Sequence, residues 1–394
     1  MLLFHWEVLI KVAGNRYDFL HAPLVIREGV SMKAAVDWSK VDDIHPRYAK
    51  RMYRFALISL LFTFLVGCQS YPSPRFRPGA YYGAPIGITY PDPEHLGKHG
   101  YTNGWSEKLG LVYTCRGGFI DLGHLRDAAD RTAYCAKITL ENLMGGDTKF
   151  SFRVLEPSQY FITINYPDNW AELPNKEEIA SEASIVLGQY FAYITMVWHE
   201  IITWYGYKCT AFFSEYISSF SWEDIYSDVI GTHLAAEALR KEGYDFDNAM
   251  TILIDQELQD LMVKPANVAK SAEQKIAGKW YEGFIYPFVF LKKRNLDIGL
   301  DDDCITPWLV PRTCPDSKPR LYPVPNIDFL FENGFSVEVE IEPKIIESYK
   351  FLKIIYPDGG GKYVKPSIHF PVIMEHITNV EIERYGPEVI IPEL

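Results

Sequence analysis

A short apolar run near residue 60 divides this sequence more sharply than any other feature. It extends from Phe55 to Val66, follows two arginines and ends at Gly67-Cys68. As a helix, its twelve residues would span roughly 18 Å, too little for the about 30 Å hydrocarbon core of a bilayer. A basic flank, a short apolar run and a small residue at its end are the layout of a secretory signal peptide. The sequence therefore predicts that the chain beyond Gly67 is exported.

The end of this segment, Leu65-Val66-Gly67-Cys68, resembles the lipobox of bacterial lipoproteins. The resemblance implies that Cys68 carries an acylated anchor (diacylglycerol, with palmitate among the acyl groups). Gln69 after it implies an outer-membrane location that faces the periplasm. Because such signals begin a chain, we expect translation to start at Met52 and residues 1–51 to be an upstream extension. The alternative is that the extension is genuine and the signal is disabled. No other run of about 18 apolar residues occurs, so we expect no further membrane span.

The remaining sequence predicts an α+β fold with a helical central bundle, short strands before it and a strand-rich C-terminal part. The expected organisation is an extension (1–51), a signal peptide (52–67), the lipidated Cys with a Pro/Gly-rich tether or wrapping segment (68–104), a mainly helical core (105–300) and a strand-rich region (301–394). Capping residues and glycine stops predict helices over 121–144, 175–205, 221–240, 247–263 and 265–281. Strands are predicted over 109–115, 336–342, 349–356 and 372–382, with a hairpin over 149–166.

The overall charge restricts the class of partner. The chain has 39 Lys and Arg against 51 Asp and Glu, a net charge of −12 at pH 7. Such an acidic surface argues against a nucleic-acid partner and against broad docking on anionic lipid. The sequence contains no phosphate-binding loop, dinucleotide fingerprint or Gly-x-Ser-x-Gly elbow. It therefore gives no sign of a nucleotide cofactor or a hydrolase serine.

Five cysteines follow the lipobox, and an oxidising periplasm would allow disulfides among them. Cys304 and Cys314 flank a proline-containing loop and form the preferred predicted pair. Cys115 and Cys135 form a second candidate pair. Cys209 would then be a small buried apolar residue.

The first polar constellation lies where a helix is predicted to begin, directly after a Gly-Gly turn. Asp121, His124 and Asp127 recur every three residues and share one helix face. Carboxylates beside a histidine can orient its ring or ligate a metal together with it. The alternative is an ion-paired surface, because arginines occur at i,i+4 spacing from aspartates in the same helix.

The second constellation is His199-Glu200-Ile-Ile-Thr203, late in an otherwise apolar helix. It is similar to the His-Glu-x-x-His helix of zinc peptidases, in which two histidines hold the metal and the glutamate activates water. Thr203 stands in place of the second histidine, so the motif is degenerate. Charged residues in an apolar helix still need partners or a metal when buried. The alternative is that they hydrogen-bond the end of the helix.

The third constellation is carried by the next predicted helix. Asp224 and Asp228 lie one turn apart on one face, and either of them or Glu223 could supply a third metal ligand. Gly231 in the same helix costs roughly 1 kcal/mol relative to alanine, which predicts that another backbone packs closely there. Capping and helix packing are the alternative explanation for this segment.

These segments carry a resemblance to a known family. Residues 110–127 resemble the strand, Gly-Gly turn and His-containing helix of an uncharacterised family of bacterial lipoproteins. The segments around His199-Glu200 and Asp228 are also similar to that family, and the resemblance covers most of residues 104–320. It implies a location and a domain of unknown function, without an activity.

Two classes of function remain open. The first is a non-catalytic cell-envelope binding or assembly protein, whose polar helices form a structural network and whose partner is an envelope polymer or protein. The alternative is a metal-dependent hydrolase of an envelope peptide or polymer, with zinc as the candidate metal. In that case His124, His199 and Asp228 would be ligands and Glu200 the catalytic base.

The predicted anchor can be tested directly on the protein from a bacterial envelope. Mass spectrometry should find an amino terminus at Cys68 that carries fatty acid, because cleavage follows acylation of the thiol. An unprocessed amino terminus without fatty acid would contradict the predicted location.

Overall fold

A computed structural model of the protein describes residues 7–12, 16–21, 73–80, 89–208, 215–283 and 289–392. The chain separates into two compact units, residues 1–70 and 71–394. In the first unit, strands β1 (Glu7–Val12) and β2 (Arg16–His21) pair as an antiparallel hairpin. The predicted signal peptide, Cys68 and Cys209 lie outside the described residues.

The second unit is built around long helices, as the sequence predicts. The central helices are α1 (Leu122–Gly145), α2 (Lys176–Trp204), α3 (Asp224–Arg240), α4 (Phe246–Asp260) and α5 (Ala266–Ile276). Towards the C-terminus follow α6 (Asp328–Glu332), α7 (Ser348–Ile355) and α8 (Pro366–Tyr385). Together with small antiparallel sheets, these helices confirm the α+β fold class.

Side-chain capping explains where the first of these helices begins. The Asp121 carboxylate accepts hydrogen bonds from the backbone N–H groups of Gly123 and His124. Gly146 ends α1 in the left-handed conformation, with φ 75°. Asn175 directly precedes α2, as predicted, but its side chain makes no capping hydrogen bond.

The sheets are short and entirely antiparallel. The first has the order β4-β3-β7, with β3 (Leu111–Thr114), β4 (Gly118–Asp121) and β7 (Val263–Lys264). The second has the order β12-β6-β5, with β5 (Lys149–Phe152), β6 (Gln159–Asn165) and β12 (Ser336–Glu342). Two further ribbons pair β8 (Tyr281–Glu282) with β9 (Phe290–Leu291) and β10 (Cys304–Ile305) with β11 (Tyr322–Pro323). The predicted 149–166 hairpin is confirmed as β5–β6.

Helix α1 lies at the centre and packs against both α2 and α3. A Cβ atom added at Gly231 in α3 would lie 2.1 Å from the carbonyl oxygen of Leu125 in α1, which confirms the predicted close approach. The sequence suggests no second segment apolar enough to span a membrane, but helix α2 is long and apolar enough to do so; 78% of its most apolar window is nevertheless buried inside the protein. That burial is typical of a core helix. Because α2 packs against α1, its polar residues lie close to those of α1.

The predicted strands 349–356 and 372–382 are wrong, because residues 349–355 and 372–382 are helical. Local preference is misleading here, since β-branched residues recur and Pro371 lies inside α8. Tertiary packing decides the outcome. Phe351 of α7 is buried with its ring centroid 5.2 Å from that of Trp198, and Ile373 and Ile377 bury one face of α8. The predicted strand 336–342 is confirmed as β12.

The disulfide predicted between Cys304 and Cys314 is also wrong. The structure joins Cys115 to Cys314, with a Cα–Cα distance of 5.4 Å and a separation of 199 residues. Within the described residues, Cys135 is buried and Cys304 is half-buried, and both are free thiols. Nearness along the chain suggested the predicted pairs. The fold instead brings the end of β3 to a loop that is remote in sequence.

We predict that Cys314→Ser lowers the free energy of unfolding by about 2–5 kcal/mol, because it releases the long loop closed by the disulfide. The matched control is Cys304→Ser, which changes a free thiol and should cost less than about 1 kcal/mol. Denaturant unfolding under non-reducing conditions measures both. Equal losses in the two variants would contradict the assigned disulfide.

Candidate functional site

A cleft of about 400 Å³ opens where the start of α1, the C-terminal half of α2 and the start of α3 meet. His124 enters it from α1, His199 and Glu200 from α2, and Asp224 from α3. Residues 76–80 form a further wall. The three polar constellations of the sequence therefore converge on one cavity, although they lie on separate helices.

His124 is held between two aspartates of α3. Its Nδ1 atom lies 3.2 Å from Oδ1 of the buried Asp228, and its Nε2 atom lies 3.6 Å from Oδ1 of Asp224. In the neutral imidazole with its proton on Nδ1, that nitrogen donates to Asp228 and Nε2 keeps a lone pair on the side of Asp224. A carboxylate that holds the far nitrogen of an imidazole is the usual support for a metal-binding histidine.

Among the described residues, Asp121, His124 and Asp224 form a group whose side chains are close enough to hold a metal ion. One potential ligand atom from each lies within 4.8 Å of the other two. Two carboxylate oxygens and one imidazole nitrogen suit Zn²⁺ or Mn²⁺, and three protein ligands beside an open cleft are typical of a catalytic site. The residues fit such an ion. A Cβ at position 79 would lie 3.1 Å from His124 Nε2, so Gly79 leaves that nitrogen room for a ligand.

The electrostatics of this group favour a positive charge. Burial alone would lower the pKa of His124, but the carboxylates of Asp224, Asp228 and Asp121 outweigh burial and raise that pKa well above its usual value. Burial raises the pKa of Asp224 and of Asp228, and His124 opposes both shifts. The carboxylates are therefore stabilised by a nearby cation, which can be a protonated imidazole or a metal ion.

Glu200 lies in the same cleft and is buried. One of its carboxylate oxygens accepts the backbone N–H of Phe220. Burial raises the pKa of Glu200, although His199 and His124 oppose the shift. A carboxyl group with a raised pKa beside a cleft is suited to accept or donate a proton near neutral pH.

A buried chain of charged groups forms the opposite wall. Glu156 accepts a hydrogen bond at 2.8 Å from Nδ1 of His199 and pairs with Arg131 through both oxygens, at 2.9 and 3.1 Å. Arg131 also donates to Asp127 at 2.8 Å. Burial alone would raise the pKa of Glu156, but Arg131 and His199 hold it well below its usual range. His199 is thereby fixed with its Nε2 atom directed away from Glu156.

The predicted site residues occupy different positions in and around the cleft. His124 belongs to the candidate group with Asp121 and Asp224, whereas Asp228 contacts its Nδ1 atom and His199 lines the same cleft. Their roles as ligands, and that of Glu200 as base, stay predictions. The Thr203 hydroxyl donates to the carbonyl oxygens of His199 and Glu200, as expected for an internal helix threonine.

Glu156 is the site residue that sequence reasoning missed. It lies between β5 and β6, 43 residues from His199. The sequence around it shows only a turn with one acidic residue, which gives no local sign of a functional role. Only the packing of the β5–β6 hairpin against α2 brings it to the cleft.

Comparison with known proteins places the central region in a catalogued family. The family model described as "Protein of unknown function (DUF4056)" matches residues 89–302, which include α1 to α5. No curated protein and no solved structure is significantly similar to the chain.

We predict that Glu156→Ala lowers the free energy of unfolding by about 3–5 kcal/mol, because Arg131 and His199 lose a buried partner. Glu182→Ala is the matched control. It removes an equally bidentate partner from Arg240 on the exposed surface and should cost less than about 1 kcal/mol. Denaturant unfolding compares the two variants, and similar losses would contradict the buried role of Glu156.

Proposed function

The chain belongs to the DUF4056 family of proteins of unknown function, and from its site we propose that it is a metal-dependent hydrolase of the cell envelope. One observation carries the proposal. Ligand atoms of Asp121, His124 and Asp224 lie within 4.8 Å of one another in a cleft that also contains Glu200. The convergence favours an enzyme because residues from three separate helices, α1, α2 and α3, meet in one cleft.

Each residue has a distinct role in this proposal. Asp121, His124 and Asp224 would hold the metal, and Asp228 orients the His124 ring. A bound divalent metal supplies a Lewis acid and lowers the pKa of water. Glu200 takes a proton from the nucleophile and returns it to the leaving group. His199, fixed by Glu156, presents its other ring nitrogen to the substrate.

The location is proposed from the sequence of residues 51–70. Cys68 carries the lipid anchor, and the body lies in the periplasm at the outer membrane, without a nucleic-acid partner. The Cys115–Cys314 disulfide supports export, because such bonds persist in oxidising compartments.

A non-catalytic binding or assembly protein is the second candidate. It is favoured by the hydrogen bonds that the site carboxylates already make. Asp121 caps α1 and accepts the Ala80 N–H at 2.7 Å, and Asp228 accepts from His124. A purely structural network would have the same bonds. Metal content and turnover distinguish the two candidates.

We predict about one zinc or manganese ion per chain in the purified protein, measured by elemental analysis. His124→Ala should remove this ion, and Asp228→Asn should weaken its binding by roughly 10- to 100-fold, because the second change removes only the support of the ring. His95→Ala is the control, since this exposed histidine pairs with Asp92 outside the cleft. A metal-free protein whose His124 variant merely melts earlier would favour the structural network.

We further predict that Glu200→Gln keeps the metal but lowers turnover of 4-nitrophenyl acetate or bis(4-nitrophenyl) phosphate by about 10²- to 10⁴-fold, the usual effect of removing a general base. These soluble probes report hydrolysis of acyl and phosphate esters. Unchanged turnover of whichever probe the native protein hydrolyses would exclude Glu200 as the base.

A further inference from the structure

The lining of the cleft is chemically mixed. Polar side chains such as His124, Asp224 and Glu200 line the cleft together with the apolar side chains of Phe76, Leu155 and Met196. Met196 is buried, but Phe76 is 60% exposed and Leu155 is 38% exposed. Exposed side chains of this size beside a polar centre form a path along which an apolar chain can lie while its polar group reaches the metal-binding residues.

Ion pairs of the residues on either side of Phe76 hold this segment to the rest of the fold. On one side, the Arg75 side chain pairs with Glu107. On the other, Arg77 is fully buried and pairs with Asp130 at 2.6 Å and with Glu107 at 3.1 Å. The N–H of Ala80 then binds Asp121. The apolar wall and the metal-binding group are therefore joined by one short segment, residues 75–80.

The same segment lies close in sequence to the proposed anchor. Eight residues lead from Cys68 to Phe76, and a chain of that length spans at most about 29 Å when fully extended. An anchor at Cys68, as proposed above, would hold Phe76 within that chain length of the bilayer surface. Trp105 is 94% exposed and follows Gly104, which lies directly against the Arg75 guanidinium. Exposed Trp side chains favour the boundary between lipid and water.

We propose that the substrate is an amphiphilic ester of the membrane itself, such as a phospholipid. The inference rests on the proposed hydrolase function and narrows its substrate from envelope polymers to bilayer lipid. The polar ester reaches Asp121, His124 and Asp224, and an acyl chain lies along Phe76 and Leu155. Water adds across the ester bond. Its hydroxyl joins the acyl carbon or the phosphorus, the carbon–oxygen or phosphorus–oxygen bond breaks, and its proton goes to the leaving alcohol.

The test uses the lipidated, metal-loaded protein on vesicles of phosphatidylethanolamine, with products identified by mass spectrometry. Free fatty acid would identify an acyl ester as the bond that is cleaved, and diacylglycerol or phosphatidic acid would identify a phosphate ester. The double variant Phe76→Asp/Leu155→Asp should lower lipid turnover by about 10- to 100-fold, because two apolar contacts with the chain are lost. Cys68→Ala should lower turnover on vesicles while leaving turnover of the soluble 4-nitrophenyl probes unchanged.

The outcomes separate this inference from the proposed function. Metal binding and turnover of the soluble probes without any lipid product would overturn the lipid inference and leave the hydrolase intact. A protein without metal and without turnover of any probe would overturn both. Lipid turnover that is indifferent to the Phe76→Asp/Leu155→Asp change, with metal content preserved, would also overturn the proposed path of the acyl chain.

Discussion

The burial of aspartates around His124 is the constraint on which the rest of this structure depends. Asp121, Asp224 and Asp228 are all buried, and a buried carboxylate needs a nearby positive charge or several hydrogen bonds. Backbone N–H groups satisfy Asp121 at the start of α1. For the α3 pair, His124 is the cation at hand. Any arrangement of α1 and α3 that separated this histidine from the aspartates would leave buried charge without compensation, so the two helices and the cleft between them are fixed together.

The short segment from Arg75 to Ala80 is the second feature that fixes the cleft. It lies before the region that matches the family, yet it supplies part of the cleft wall and a hydrogen bond to Asp121. Its arginines are paired with Glu107 and Asp130, which are also buried. A segment that looked like a tether in the sequence is thus, in its described part, a component of the site.

Some features could be predicted from the sequence because their causes are local. The Asp121 cap and the Gly146 stop define α1, and Gly231 reports the close approach of α3. His124 and Asp228 are recognisable because carboxylates recur near them at helical spacing, and Glu200 is recognisable because it is a charged group on an otherwise apolar helix. Glu156 and the Cys115–Cys314 disulfide were not recognisable, because both depend on contacts between remote segments. Helices α7 and α8 were missed because burial of Phe351 and Ile373 overrides a local preference for strand.

Anomalous X-ray diffraction at the zinc edge, on crystals of the metal-loaded protein, tests the central claim most directly. The account predicts a single strong peak about 2.0–2.2 Å from His124 Nε2 and from one oxygen each of Asp121 and Asp224. A peak elsewhere, or the absence of any peak while His124 keeps its contacts with Asp224 and Asp228, would contradict a metal centre and identify the buried charges as a structural network.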